Sequence, residues 1–290
     1  MEHNLAAYRA AVDELLIELA GFSGPDGAHK VELTLARWTG TPELMAVLEA
    51  TPYGAAGAVA RMLAEVRGFR RGAHSPATDL AALVRLCLLS QIDAVWWGAA
   101  AAYETDDDVE RDPGLVELEP LRRSGRLLFR YRVQPAGLAG RGARAVERRL
   151  WTDRTPPTAG LRSTRARPEV LAMLNHLAAR FALLGPPDTP PLWLTSLIRS
   201  VGYQRHLRWL GYAATLPSAH CVGYAMDVEM RWFRRYGAHL ALAEVLLDGQ
   251  RDGQLNVIDD GQAWHVCLSP SAVAALRAAG RPERTEMPRR

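Results

Sequence analysis

Lysine is almost missing from this sequence: Lys30 is the single lysine among 35 basic residues, and 32 acidic residues leave a net charge of +3. The arginines are scattered, with short clusters at Arg122-Arg123, Arg148-Arg149 and Arg234-Arg235, and no aromatic interleaving that suggests a stacking platform. A nucleic-acid surface needs a concentrated basic stripe, and single strands add a stacking platform. No nucleic-acid partner is therefore expected, and the arginine bias fits a GC-rich genome. Cysteine is scarce as well. Cys87, Cys221 and Cys267 make an odd count without CxxC spacing, which argues against a disulfide framework and for a reducing compartment. No apolar run approaches the ~20 residues that span a bilayer. The opening stretch, MEHNLAAYRAAVDELLIELAG, carries acidic residues through its apolar segment and has neither a basic start nor a small-residue cleavage site. The expectation is a cytoplasmic protein with no membrane partner.

What remains is an ordinary globular composition, 290 residues with 48% hydrophobic content, enough for one large or two modest domains. Leu5, Tyr8, Val12, Leu15, Leu16 and Leu19 recur at helical spacing over 4–20, and Gly21 ends that helix. Further helices are expected at 42–50, capped by Thr41, at 55–68 and at 78–100. The last is apolar nearly all round and so belongs to a core or, in an interaction module, to an interface. Trp96 and Trp97 near its end read as packing residues before they read as a ligand platform. The acidic run Thr105 to Glu110 lacks the alternation of a calcium loop and reads as a solvated connector. Arg126 to Val133 reads as a strand, and a short helical pattern falls at 142–151. The Pro-, Gly- and Arg-rich stretch 134–167 places a boundary near 160, giving a mainly helical domain over 1–160 and a second domain over 161–290.

In the second domain Pro168 opens a helix, 192–197 reads as a strand, and 201–210, 228–236, 240–247 and 270–279 read as helices. The segments 255–258 and 263–268 form a hairpin about the dipeptide Asp260-Gly261. The tail after Arg281 is expected to fray. Mixed in this order, the elements describe an α+β protein with a small antiparallel sheet.

The chemistry concentrates between 192 and 268. His220 and Asp227 are separated by the small residues Gly223 and Ala225, and His265 follows Trp264. Two imidazoles and one carboxylate leave a fourth position open, which is the ligand set of a catalytic Zn2+ site. Each residue has a simpler role available by itself: a buried histidine can merely hydrogen-bond, Arg199 could pair with Glu229, and Trp264 could be core. Cys267 shares a strand face with His265, either as a fourth ligand or as a buried structural thiol.

The pattern SxHxxGxAxD, filled by Ser218, His220, Gly223, Ala225 and Asp227, resembles the signature of the zinc D-alanyl-D-alanine peptidases, a family that shares its fold with hedgehog signalling domains. Thr195 to Ser200, with Arg199 and then Gln204, resembles the family's SxxR…Q segment, and Ala263-Trp264-His265 resembles the end of its Glu-x-Trp-His motif. The resemblance covers about 168–270. It implies a peptidase-like domain over 161–290 with His220, Asp227 and His265 on zinc and Arg199 stabilising the oxyanion. Ser196, Gln204, Ser218 and Trp264 would stand on the substrate side. The substrate would be a small peptide or cell-wall precursor. The family's general-base glutamate is replaced here by Gln262, and a carboxamide cannot take a proton from water. Asp260 is the nearest carboxylate in sequence, with Asp259 and Glu229 behind it. A non-catalytic zinc-binding protein on the same fold is the second expectation.

Overall fold

The computed structural model describes residues 5–22, 27–69, 77–135, 155–212 and 214–280. The helical pattern expected at 142–151 and the tail after Arg281 lie outside them. The chain is α+β. Five helices come first: α1 (Leu5–Leu19), α2 (Gly27–Trp38), α3 (Pro42–Glu49), α4 (Gly54–Gly68) and α5 (Leu80–Trp97). Helix α1 buries Tyr8, Val12, Leu15 and Leu19, the stripe that its spacing announces. Helix α2 is absent from the expected elements because His29, Lys30, Glu32 and Arg37 dilute its apolar face, although Val31 and Leu35 are fully buried. Thr41 precedes α3 in extended conformation, but its hydroxyl donates to the Trp38 carbonyl (2.9 Å) and does not cap the helix.

Helix α5 is long and apolar enough to cross a membrane by length and composition alone. Here its apolar circumference is divided between two bodies. One side packs against α1, α3 and α4, burying Leu83, Leu88 and Ile92. The other side rests on the sheet.

After α5 the acidic run forms α6 (Asp106–Arg111), not a bare connector. The reason is a capping box: Thr105 Oγ1 accepts from the Asp108 N–H (3.2 Å) and Asp108 accepts from the Thr105 N–H (2.8 Å). A short strand β1 (Val116–Glu117) and α7 (Leu118–Arg123) follow. The expected strand at 126–133 shrinks to β2 (Arg130–Tyr131). β3 (Arg165–Ala166) pairs with β1, and α8 (Pro168–Leu184) starts at Pro168 as expected.

The remaining elements are β4 (Trp193–Ser196), α9 (Val201–Trp209), the 3-10 turn Ala219–Val222, β5 (Ala225–Glu229), the 3-10 turn Trp232–Tyr236, α10 (His239–Arg251), β6 (Leu255–Asp259), β7 (Ala263–Leu268) and α11 (Pro270–Ala279). A helix expected at 228–236 is divided: Val228 and Glu229 finish β5, and only Trp232–Tyr236 turns. Glu229 accounts for the change by accepting the Trp232 N–H (2.9 Å), which stops the strand and starts the turn. The hairpin turn is centred one residue later than expected. Gly261 sits at φ +79, the Gln262 N–H returns to the Asp260 carbonyl (3.0 Å), and Asp260 pairs with Ala263.

The main sheet has the order β2-β4-β5-β7-β6. Only β2 joins it in parallel, on β4; the other three pairings are antiparallel. On one face Met226, Val228, Val266 and Leu268 pack into a core with α8 and α10. The apolar core changes identity between Ile92 and Leu118: residues 8–92 form the helical cluster, and Leu118, Phe129 and Tyr131 already belong to the sheet cluster. Segment 118–135 thus packs with the second body, ahead of the boundary expected near 160.

On the opposite face α5 covers β6 and, through Trp96 and Trp97, the Ala225 and Cys267 positions of β5 and β7. Trp97 seals the junction, stacking on Tyr224 (centroids 4.0 Å apart) and donating its indole N–H to the Leu268 carbonyl (2.8 Å). Trp97→Ala is expected to cost about 3 kcal/mol, the low end for aromatic truncation because the ring is only half-buried. Chemical denaturation measures it.

Candidate metal centre

The uncovered end of the sheet opens into a cleft of about 1250 Å³ lined by His220, Asp227 and His265. Each reaches it by a different local device. Strand alternation sends Met226 and Val228 into the core and Asp227 to the other face. Antiparallel pairing sets Asp227 directly opposite His265. His220 arrives from the 3-10 turn, which closes on Gly223 at φ +80. A Cβ there would come within 3.1 Å of both Arg167 and Ile198, so the turn needs glycine for conformation and for space.

The three side chains converge on one point. His220 Nε2 lies 3.0 Å from Asp227 Oδ1 and 3.2 Å from His265 Nδ1, and His265 Nδ1 lies 3.1 Å from the same Asp227 oxygen. The outer nitrogens are already committed. His220 Nδ1–H donates to the Leu197 carbonyl (2.7 Å), and His265 Nε2–H donates to Asp93 Oδ2 (2.7 Å). Each ring therefore turns its other nitrogen inward, the one that can offer a lone pair to a cation.

Electrostatics sort the protons. Burial and the Arg199 cation hold the His220 imidazole below its usual range. Burial would raise Asp227, but His220 and Arg199 outweigh it and hold the carboxyl well below the ordinary range. Burial would also lower His265; Asp93 and Asp227 outweigh it and push the imidazole up to about 10. Without a cation the triangle thus keeps a second proton on His265, at Nδ1 facing Asp227.

These residues fit a metal ion. Ligands at about 2.0–2.1 Å from a tetrahedral ion lie about 3.3 Å from one another, close to the spacing found here. Among the described residues, His220, Asp227 and His265 are the group able to hold one.

Arg199 stands beside this group. It pairs with Asp227 Oδ2 through Nη2, donates to Ser196 Oγ through Nε (2.7 Å) and reaches Gln204 Oε1 through Nη1 (3.3 Å). Its partner is Asp227, not Glu229. Gln204 is in turn fixed by its bond to the Thr215 carbonyl (3.0 Å). Two of the five guanidinium N–H donors stay uncommitted.

Ser218, Asp260, Gln262 and Glu229 also line the cleft. Burial and the charge of Asp227 raise the Asp260 carboxyl to about 7. Glu229 is occupied with backbone N–H groups, and Asp259 Oδ1 accepts from the Gly261 N–H (2.7 Å), so both serve turns. Gln262 is exposed at the hairpin tip. Trp264 does not meet the cleft: it lies on the other face of β7, packed against the main core. Cys267 is fully buried, and burial first, then Asp93, raises its thiol well above the ordinary range.

Three participants escape the motif reading: Asp93, Asn256 and Arg9. Asn256 Nδ2 donates to Asp93 Oδ1 (2.8 Å), and Asn256 Oδ1 accepts from Arg9 Nη2 (2.8 Å). One signal was present: an aspartate inside an otherwise apolar helix needs a buried partner.

Comparison with protein-family models, with curated proteins and with solved structures finds no match for this chain.

Proposed function

We propose that this protein is a zinc-dependent peptidase or amidase acting on a small peptide that contains D-amino acids or derives from the cell wall. One observation carries the reading: the inner ring nitrogens of His220 and His265 and one oxygen of Asp227 meet at a single point inside an open cleft. The donor set of two imidazole nitrogens and one carboxylate oxygen suits zinc. When bound, the metal supplies Lewis acidity and an activated water.

The chain's own groups divide the remaining work. Arg199 first holds Asp227, steering one oxygen toward the metal point by occupying the other. Its two spare donors then suit negative charge developing on a scissile carbonyl, a contribution of about 3–4 kcal/mol for such donors. Asp260 takes over as proton acceptor where the resemblance would place a glutamate. Its carboxyl, raised to about 7, changes protonation at the pH where a general base works best.

The test is hydrolysis of a panel of short D-amino-acid peptides by zinc-loaded protein, with chelator-treated protein as control. Zinc-dependent release of an amino acid is expected. Zinc uptake with every peptide intact would overturn the peptidase reading.

A second reading is favoured by Gln262, whose amide cannot act as a base: a metal-binding recognition protein on the same fold. Gln262→Glu discriminates the two. Under the first reading the parent already hydrolyses peptide and the variant changes the rate modestly. Under the second, activity first appears in the variant.

A further inference from the structure

Among the described residues, the N-terminal helices hydrogen-bond a candidate metal ligand through the Asp93 carboxylate. Asp93 lies near the C-terminal end of α5, on the side that faces the sheet, and its carboxylate is 8% exposed. Its oxygens take the His265 Nε2–H at Oδ2 (2.7 Å) and the Asn256 amide at Oδ1 (2.8 Å), with the Cys267 thiol beside them. Asn256 cannot turn over to suit a different neighbour. Its carbonyl oxygen is held by the half-buried Arg9 of α1, and its NH2 is shared with the Leu89 carbonyl (3.0 Å). Both neighbours of Asp93 therefore donate, and only a carboxylate can accept from both.

We propose that Asp93 is a positioning residue of the metal centre, and that the helical body is consequently part of that centre. By accepting the Nε2 proton, Asp93 fixes the His265 tautomer in which Nδ1 carries the lone pair aimed at Asp227 and His220. It also holds the ring in plane with that target, as outer carboxylates do for metal-bound histidines. The order of contact runs from Arg9 on α1 to Asn256 on β6, Asp93 on α5 and His265 on β7. Metal bound to His265 thus tightens the seam between the two bodies. The inference rests on the metal reading given above.

Asp93→Asn is isosteric and removes one acceptor. If the new amide keeps its oxygen toward Asn256, its NH2 faces His265 Nε2 and drives the proton to Nδ1, where the ligand lone pair should be. If it turns over, its NH2 meets the Asn256 NH2 instead. Either way one contact becomes donor against donor.

The experiment uses the full chain. Zinc affinity is measured by competition with a chromophoric chelator for the parent, Asp93→Asn and Leu88→Ala, the last loosening α5 from its other side without touching Asp93. Zinc binding is expected to weaken about 10–100-fold in Asp93→Asn and to stay within about threefold in Leu88→Ala, as for a site remote from the packing change. Histidine 15N spectra of the zinc forms should show a protected His265 Nε2–H in the parent that is lost in Asp93→Asn. Hydrogen exchange of the parent, with and without zinc, keeps the proposal testable should a variant fail to fold. Amides near Asp93 on α5 should slow on zinc addition, whereas those of α2 should not. Equal zinc affinity in the parent and Asp93→Asn would overturn the proposal and leave the metal site standing. Equal losses in Asp93→Asn and Leu88→Ala would reduce Asp93 to a packing role and also overturn it. A parent that takes up no zinc would overturn the metal reading itself.

Discussion

His265→Ala is expected to empty the metal site. Elemental analysis of the parent should find about one zinc per chain, and the variant should retain almost none after dialysis. Loss of an outer partner already costs about 10–100-fold in affinity, and loss of a ligand atom exceeds that. Zinc binding in the parent should also depend on pH in a defined direction. The metal-free triangle holds a proton on His265 up to about pH 10, because Asp93 and Asp227 together outweigh burial. Zinc must displace that proton, so apparent affinity should rise about tenfold per pH unit on the acid side of pH 10. Release of about one proton per zinc, followed with an indicator dye or by calorimetry in buffers of different ionisation enthalpy, checks the same point. A flat affinity profile would mean that His265 is not the ligand that loses a proton.

Asp260→Asn should be the most damaging substitution that leaves the metal in place. Asp260 lines the cleft, and its carboxyl is raised to about 7 by burial and by the charge of Asp227. Removing a general base costs about 10²–10⁴ in rate. The expected outcome is a fall of that size in kcat with zinc content unchanged, which separates a proton acceptor from a ligand. The pH profile follows from the sign of the shift. A base works as the carboxylate, so the parent rate should be low below about pH 7, rise through it and level off above. In Asp260→Asn that rise should vanish. An unaltered rate in the variant would return the base to an unidentified group, since Glu229 and Asp259 are both tied to backbone N–H groups.

How much of this was legible in the sequence depends on the distance over which each feature is determined. The α+β class, the stripe on α1 and the start of α8 at Pro168 follow from periodicity and local backbone chemistry, and they appear as expected. The site motif belongs to the same kind. Glycine is required at 223 because the φ of +80 and the crowding by Arg167 and Ile198 both act on that one residue. His220 and Asp227 are then brought together within a single turn and strand, and the alternation that points His265 to the cleft sends Trp264 to the core. Errors arose where a local competitor overrode periodicity. The capping box made a helix of the acidic run Asp106–Arg111, and the Glu229 carboxylate ended β5 where a helix was expected.

The sequence by itself determined which side chains can hold a metal, because ligand type and short spacing are properties of the chain. Only the tertiary structure decided what holds those ligands in place. The Asp93–His265 bond joins residues 172 positions apart, and the Arg9–Asn256 bond joins residues 247 apart. No periodicity or motif carries information across such intervals. These partners meet because α5 is apolar on both sides, one against the helical core and the other against the sheet. A carboxylate buried at that seam must take its hydrogen bonds from whatever the second body presents, and there it presents His265, one of the three residues able to hold a metal.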